Sequence, residues 1–144
     1  MAKSTERNIL VVDDEPDFVA YLKTIFEQAG HSVTTAFDGE EALTQLRKAP
    51  PDLVTLDVQM PRKTGVLFYR QMKSDPRLRG IPVIVITGLR RLNDYAGSFI
   101  ECFFQAERLK VPAPDAYLDK PIDKARLLEA VNDQLAGGAV RCLG

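Results

Sequence analysis

The chain has 144 residues, 45% of them hydrophobic, and its 19 basic and 20 acidic side chains leave a formal net charge of −1. That length suits one domain spanning residues 1–144, and area scaling lets such a chain bury about two-thirds of its surface around a single core. The near-neutral balance argues against binding to a nucleic-acid backbone or an anionic membrane surface.

The longest apolar runs, around Ile9 to Val12 and Val83 to Ile86, are far too short for a membrane span or a signal-peptide core, so a soluble cytoplasmic protein is expected. Cys102 and Cys142 stand far apart without metal-type spacing and are expected to be reduced.

From the N-terminus, the polar stretch Met1 to Arg7 predicts a loose tail ahead of a core running from Asn8 to Leu135. Asn8 to Val12 is a first strand. Phe18, Leu22, Ile25, Phe26 and Ala29 then repeat as one helical stripe that starts near Glu15-Pro16 and stops at Gly30. Val33 to Phe37 is a second strand. A second helix follows Asp38-Gly39, runs through Ala42, Leu43 and Leu46, and ends at Pro50-Pro51. Leu53 to Leu56 is a third strand, Val66 to Met72 a third helix closed by Asp75-Pro76, and Val83 to Ile86 a fourth strand.

The segment from Leu89 to Val111 keeps helical period through Leu92, Tyr95, Phe99, Cys102, Phe103, Ala106 and Leu109. Ile100 and Phe104 widen its stripe beyond what one sheet contact needs. A short strand at Ala116 to Leu118 precedes a last helix, Asp123 to Leu135, with Leu127, Leu128, Val131 and Leu135 facing inward, and Ala136 to Gly144 closes the chain as a tail.

Strand and helix thus alternate five times. Strands apolar on both faces belong to a parallel sheet covered on both sides, and right-handed crossovers restrict the topology to a doubly wound α/β domain. In such a sheet the ligand site lies at the carboxyl ends of the strands. Strand one ends in Asp13-Asp14, strand three in Asp57, strand four in Thr87, and strand five in Asp119-Lys120-Pro121.

Three carboxylates brought to about 5 Å repel pairwise by roughly 3 kcal/mol at an effective dielectric of 20, and therefore call for a counterion. Oxygen ligands without nearby His or Cys select Mg²⁺, which keeps open positions for a phosphate oxygen, and Lys120 supplies further positive charge. Taken singly, each residue also fits a plainer role. Asp13 or Asp14 suits an N-cap of the first helix, Asp57 and Thr87 suit turns, Lys120 suits a solvated surface, and Tyr117 suits packing. Their conjunction at four strand ends favours a site.

The stretches ILVVDDEPDF, PDLVTLDVQMPRKTG, IPVIVITG and YLDKP together resemble the receiver domain of bacterial two-component response regulators, in length the stand-alone chemotaxis type. The resemblance implies a flavodoxin-like five-stranded parallel sheet in the order 2-1-3-4-5, with helices on both faces. The chain departs from the family in a lengthened fourth helix region, because Thr87 and Lys120 stand farther apart than is usual there.

By resemblance Asp57 is the phosphoacceptor. Asp14, Asp57 and the backbone carbonyl of Gln59 bind Mg²⁺, with Asp13 acting on the metal mostly through water. Thr87 bonds the phosphoryl oxygen, Lys120 pairs with it, and Tyr117 is the aromatic switch. The Lys120-Pro121 bond is expected to be cis. The domain catalyses its own phosphorylation and dephosphorylation and is otherwise no enzyme.

The implied partners are a sensor histidine kinase or histidine phosphotransfer protein and a downstream protein. The downstream partner would read the face formed by the fourth helix, fifth strand and fifth helix, a surface that also suits a homodimer. No output segment is expected after Leu135. A phosphorelay intermediate would carry the same residues. A Mg²⁺-dependent aspartyl-phosphate phosphohydrolase would need an aspartate where Gln59 stands. A flavin or nucleotide binder would need a phosphate loop where Asp13-Asp14-Glu15 repels one.

Overall fold

The computed structural model describes residues 6–57, 64–88 and 114–136. Five strands, β1 (Asn8–Val12), β2 (Ser32–Ala36), β3 (Leu53–Leu56), β4 (Val83–Thr87) and β5 (Ala116–Asp119), form one parallel sheet in the order β2-β1-β3-β4-β5. Four helices are described: α1 (Pro16–Gln28), α2 (Gly39–Lys48), α3 (Thr64–Ser74) and the C-terminal α4 (Lys124–Leu135). The expected long helix region between β4 and β5, residues 89–111, lies outside the described residues.

The two-residue period of the strands sorts their side chains into two cores. Ile9, Val11, Leu53, Ile84 and Ile86 face α1 and α4, where Val19, Leu22, Ile25, Phe26, Leu127 and Val131 cover them. Leu10, Val12, Val54, Leu56, Val83 and Val85 face α2 and α3, covered by Ala42, Leu46, Phe68, Tyr69 and Met72. Helices therefore clothe both faces. Of the expected inward positions, Leu128 and Leu135 are only half-buried, and Ala29 is exposed because α1 ends at Gln28 and Ala29 is already its cap.

Local chemistry sets the ends of the elements. Pro16 opens α1, where its missing N–H costs nothing, and Gly30 at φ +96° closes it in the left-handed region. Asp38 caps α2 by accepting from Glu41 N at 2.7 Å, while Glu41 Oε1 accepts from Phe37 N at 2.9 Å. Strand β2 spans Ser32–Ala36 instead of ending on Phe37 as expected; the Phe37 N–H faces away from β1 at the open edge, where Glu41 occupies it, and Asp38 already caps α2.

Helix α3 is longer than the expected Val66 to Met72. Its last turn is followed by a turn in which Asp75 Oδ1 accepts from Arg77 N at 2.9 Å. Next to it the buried Lys73 ammonium donates to the carbonyls of Arg79 and Ile81 at 2.9 and 2.8 Å. The N-terminal tail is shorter than expected as well. Ser32 N donates to Arg7 O at 2.9 Å and Ser32 Oγ to Glu6 Oε2 at 2.9 Å, so residues 6 and 7 are fastened to β2.

Candidate functional site

The carboxyl ends of β1, β3 and β5 meet at one rim. Parallel pairing continues one residue past the strands: Asp13 N donates to Ala36 O at 3.1 Å and Asp57 N to Val12 O at 3.0 Å. The backbone thus fixes both aspartates before any side-chain interaction forms. Asp13, Asp14 and Asp57 each bring a carboxylate oxygen within 4.8 Å of the other two, the one group of potential metal ligands among the described residues. Asp13 and Asp57 are buried and Asp14 is half-buried.

Lys120 follows β5 directly, and its bond to Pro121 is cis as expected. Its Nζ lies 2.9 Å from Asp13 Oδ2, 3.4 Å from Asp57 Oδ2 and 3.2 Å from Glu15 Oε1, with the ring centroid of Phe18 at 4.3 Å. Only 18% of the Lys120 side chain is exposed, so it is no solvated surface amine, and Asp57 at 4% exposure is no solvated turn residue. Asp13 does not cap α1 either. Its Oδ1 accepts from Glu15 N, two residues on, at 2.9 Å, and the helix cap is Glu15, which makes no capping bond.

Burial pushes the Asp13 carboxyl above the ordinary 3.8, although Lys120 and the Glu15 N–H draw it back in part. Burial alone would lower the Lys120 pKa. The carboxylates of Asp13, Asp57 and Glu15 outweigh that and hold it above 10.5.

The donor set fits a hard divalent cation: three carboxylates, no softer ligand, and one lysine that cannot neutralise them alone. A further observation supports the fit. Asp13 Oδ2 is buried, and beyond its ion pair with the Lys120 ammonium at 2.9 Å no donor among the described residues reaches it. A buried carboxylate oxygen in that state is ready to accept a cation or its bound water.

The remaining expected residues fall as follows. Thr87 ends β4 with its backbone paired to Asp119, and its side chain lies outside the described atoms, as does all of Gln59. Tyr117 stands on β5 beside Val85, 40% exposed. Sequence reasoning missed Glu15 and Phe18 as partners of Lys120.

A doubly wound sheet that gathers two adjacent aspartates, a third aspartate and a lysine at its carboxyl rim defines a phosphoryl-accepting signalling domain. Residues 9–132 match the response regulator receiver domain, and the chain belongs to that family. It is 35% identical over 128 residues to protein Rrf1 of Nitratidesulfovibrio vulgaris, covering 89% of this chain and 82% of that one. It is 33% identical over 129 residues to protein PilH of Pseudomonas aeruginosa, covering 90% and 98%.

Among solved structures, NtrX from Brucella abortus superposes with a TM-score of 0.75 at 28% identity, covering 94% of this chain but only 29% of that longer one. Receiver domains are phosphoacceptor signalling domains of two-component systems, not classical enzymes, and the family match disfavours the phosphohydrolase reading. Among the described residues no helix is long and apolar enough to cross a membrane.

Proposed function

We propose that Asp57 is the phosphoacceptor of this receiver and that residues 1–144 act as one signalling unit. The observation that carries the reading is the buried Asp57 carboxylate, set at a strand end with the Lys120 ammonium 3.4 Å away and two further aspartates beside it. An oxygen of Asp57 attacks phosphorus as the P–N bond of a phosphohistidine breaks, and the imidazole nitrogen leaves with the bonding pair. The donor is a sensor histidine kinase or a histidine phosphotransfer protein; with a small phosphodonor such as acetyl phosphate the P–O bond breaks instead and acetate leaves.

Two anions resist this approach, so the residues cancel charge and hold the attacking oxygen in line. Asp13, Asp14, Asp57 and the backbone carbonyl of Gln59 would hold Mg²⁺, Asp13 mostly through water. When bound there, Mg²⁺ would supply positive charge against the transferred oxygens. Lys120 pairs with one phosphoryl oxygen and Thr87 donates to another. Water later removes the group, completing a cycle the domain performs only on itself.

The acyl phosphate adds charge and acceptor oxygens at the rim. Inward movement of Thr87 and rotation of Tyr117 then alter the face around β5 and α4 read by a protein partner or a second copy. With Mg²⁺ and a small phosphodonor, intact-mass spectrometry should show one phosphoryl increment on the wild type and none on Asp57→Asn. Full modification of that variant would refute the assignment.

A further inference from the structure

We propose that Phe18 is a positioning residue for Lys120, its ring face seating the ammonium through a cation–π contact so that the amine already points at Asp57 when the phosphoryl group arrives. The inference rests on the reading of Asp57 as phosphoacceptor and extends it to a residue of the opposite end of the chain.

The ammonium is 4.3 Å from the ring centroid, well inside the range in which the negative face of an aromatic ring attracts a cation. With 18% of the lysine side chain exposed, water competes little for that charge, which places the contact toward the stronger end of its range.

Of the four side chains around the ammonium among the described residues, Asp13, Glu15, Asp57 and Phe18, the ring alone is not acidic. Phe18 sits in the first turn of α1, partly buried against the core that α1 and α4 share, and the Tyr21 ring backs it at 6.3 Å and 43°. A lysine stem has four freely turning carbons, and without a wall the charge can drift along its carboxylates. Glu15, 63% exposed and 3.2 Å away, offers the outward route. With the ammonium over its face, the Phe18 ring adds an attraction that favours the position of Nζ within reach of both Asp13 and Asp57.

Three variants separate a ring effect from packing. Phe18→Leu removes the π face at similar bulk, Phe18→Tyr keeps it, and Asp57→Asn controls for the site of modification. With saturating Mg²⁺ and acetyl phosphate, Phe18→Leu should be phosphorylated about fivefold to thirtyfold more slowly, with Phe18→Tyr retaining most of the wild-type rate.

A second readout uses metal-free wild-type protein carrying ¹³C-labelled lysine. The ε-methylene protons of Lys120, identified by their absence in Lys120→Arg, should resonate upfield of the other lysines through the ring current. The displacement should persist in Phe18→Tyr and vanish in Phe18→Leu.

Equal rates for wild type and Phe18→Leu, equal slowing in Leu and Tyr variants, or an undisplaced Lys120 signal in the wild type would each overturn the proposal. Absence of any phosphorylation of the wild type would instead sink the role of Asp57, and the lysine signal would still decide the contact with Phe18.

Discussion

Removing one charge from the acidic cluster should make the metal-free protein more stable. Asp13, Asp14 and Asp57 hold carboxylate oxygens within 4.8 Å of one another, so at an effective dielectric of 20 each pair repels by about 3.5 kcal/mol or more. On the same scale Lys120 returns about 6 kcal/mol to Asp13 at 2.9 Å and about 5 kcal/mol to Asp57 at 3.4 Å. For either aspartate, the two repulsions exceed the attraction of Lys120.

Asp13→Asn, which keeps an acceptor for Glu15 N, should therefore gain about 1 kcal/mol and Asp57→Asn about 2 kcal/mol. Each kcal/mol raises the midpoint of a domain near this size by about 2–4 °C. The pH dependence follows from the raised Asp13 pKa. The stability linked to this group is fully present below 3.8, where it is protonated folded and unfolded alike, and is lost as pH rises through the elevated folded value. The advantage of Asp13→Asn thus opens with rising pH and closes on acidification.

Thermal unfolding in EDTA, repeated across that window, measures the effect. Mg²⁺ at a hundred times its Kd should add about 2.7 kcal/mol to the wild type, and far less to either variant, reversing the order. Lower midpoints for both variants in EDTA at neutral pH, or a gap that widens toward acid, would refute the reasoning.

Glu15→Gln should speed phosphorylation by a small anionic donor, because it removes a competing partner of Lys120 and a like charge. The exposure of Glu15 bounds the gain at about fivefold, and stopped-flow or mass-resolved time courses would check it. Lys73→Met leaves the carbonyls of Arg79 and Ile81 without their charged donor and should cost about 2–4 kcal/mol in urea unfolding. Phosphorylation should be unchanged there, since Lys73 binds the carbonyls just before β4, at the amino ends of the strands and away from the carboxyl rim. Asp38→Ala should cost about 1 kcal/mol through the lost cap on α2, read as a lowered urea midpoint with unchanged slope.

Much of the sheet was legible because its residues answer to one period. Ile9 to Val12 and Val83 to Ile86 are apolar without interruption, and only a strand covered on both faces makes use of both alternating sets. Boundaries were less legible where a side chain competes for the backbone. Strand β2 ends on Ala36 because Asp38 two residues on already caps α2 through Glu41 N, a bond whose partners are three residues apart and carry no hydrophobic signal. The buried Lys73 was invisible for a related reason: its charge reads as surface, and only the fold of the turn after α3 supplies the carbonyls that accept it.

The aspartates could be placed from sequence because each ends a recognisable strand, whereas the environment of Lys120 could not. Glu15 and Phe18 look locally like an acid at a helix start and the first member of an apolar stripe, and both descriptions are correct within α1. Their contact with Lys120 spans 105 positions between Glu15 and the lysine.

It arises because the crossovers wind β1 into the interior of the sheet between β2 and β3, so the loop that opens α1 lies at the same carboxyl rim as the end of β5. A charge 105 positions away leaves no periodic mark on the first turn of a helix. The strand order alone turns an ordinary helix start into a wall of the site, so the residues that tune Lys120 should vary with what α1 presents at its first turn.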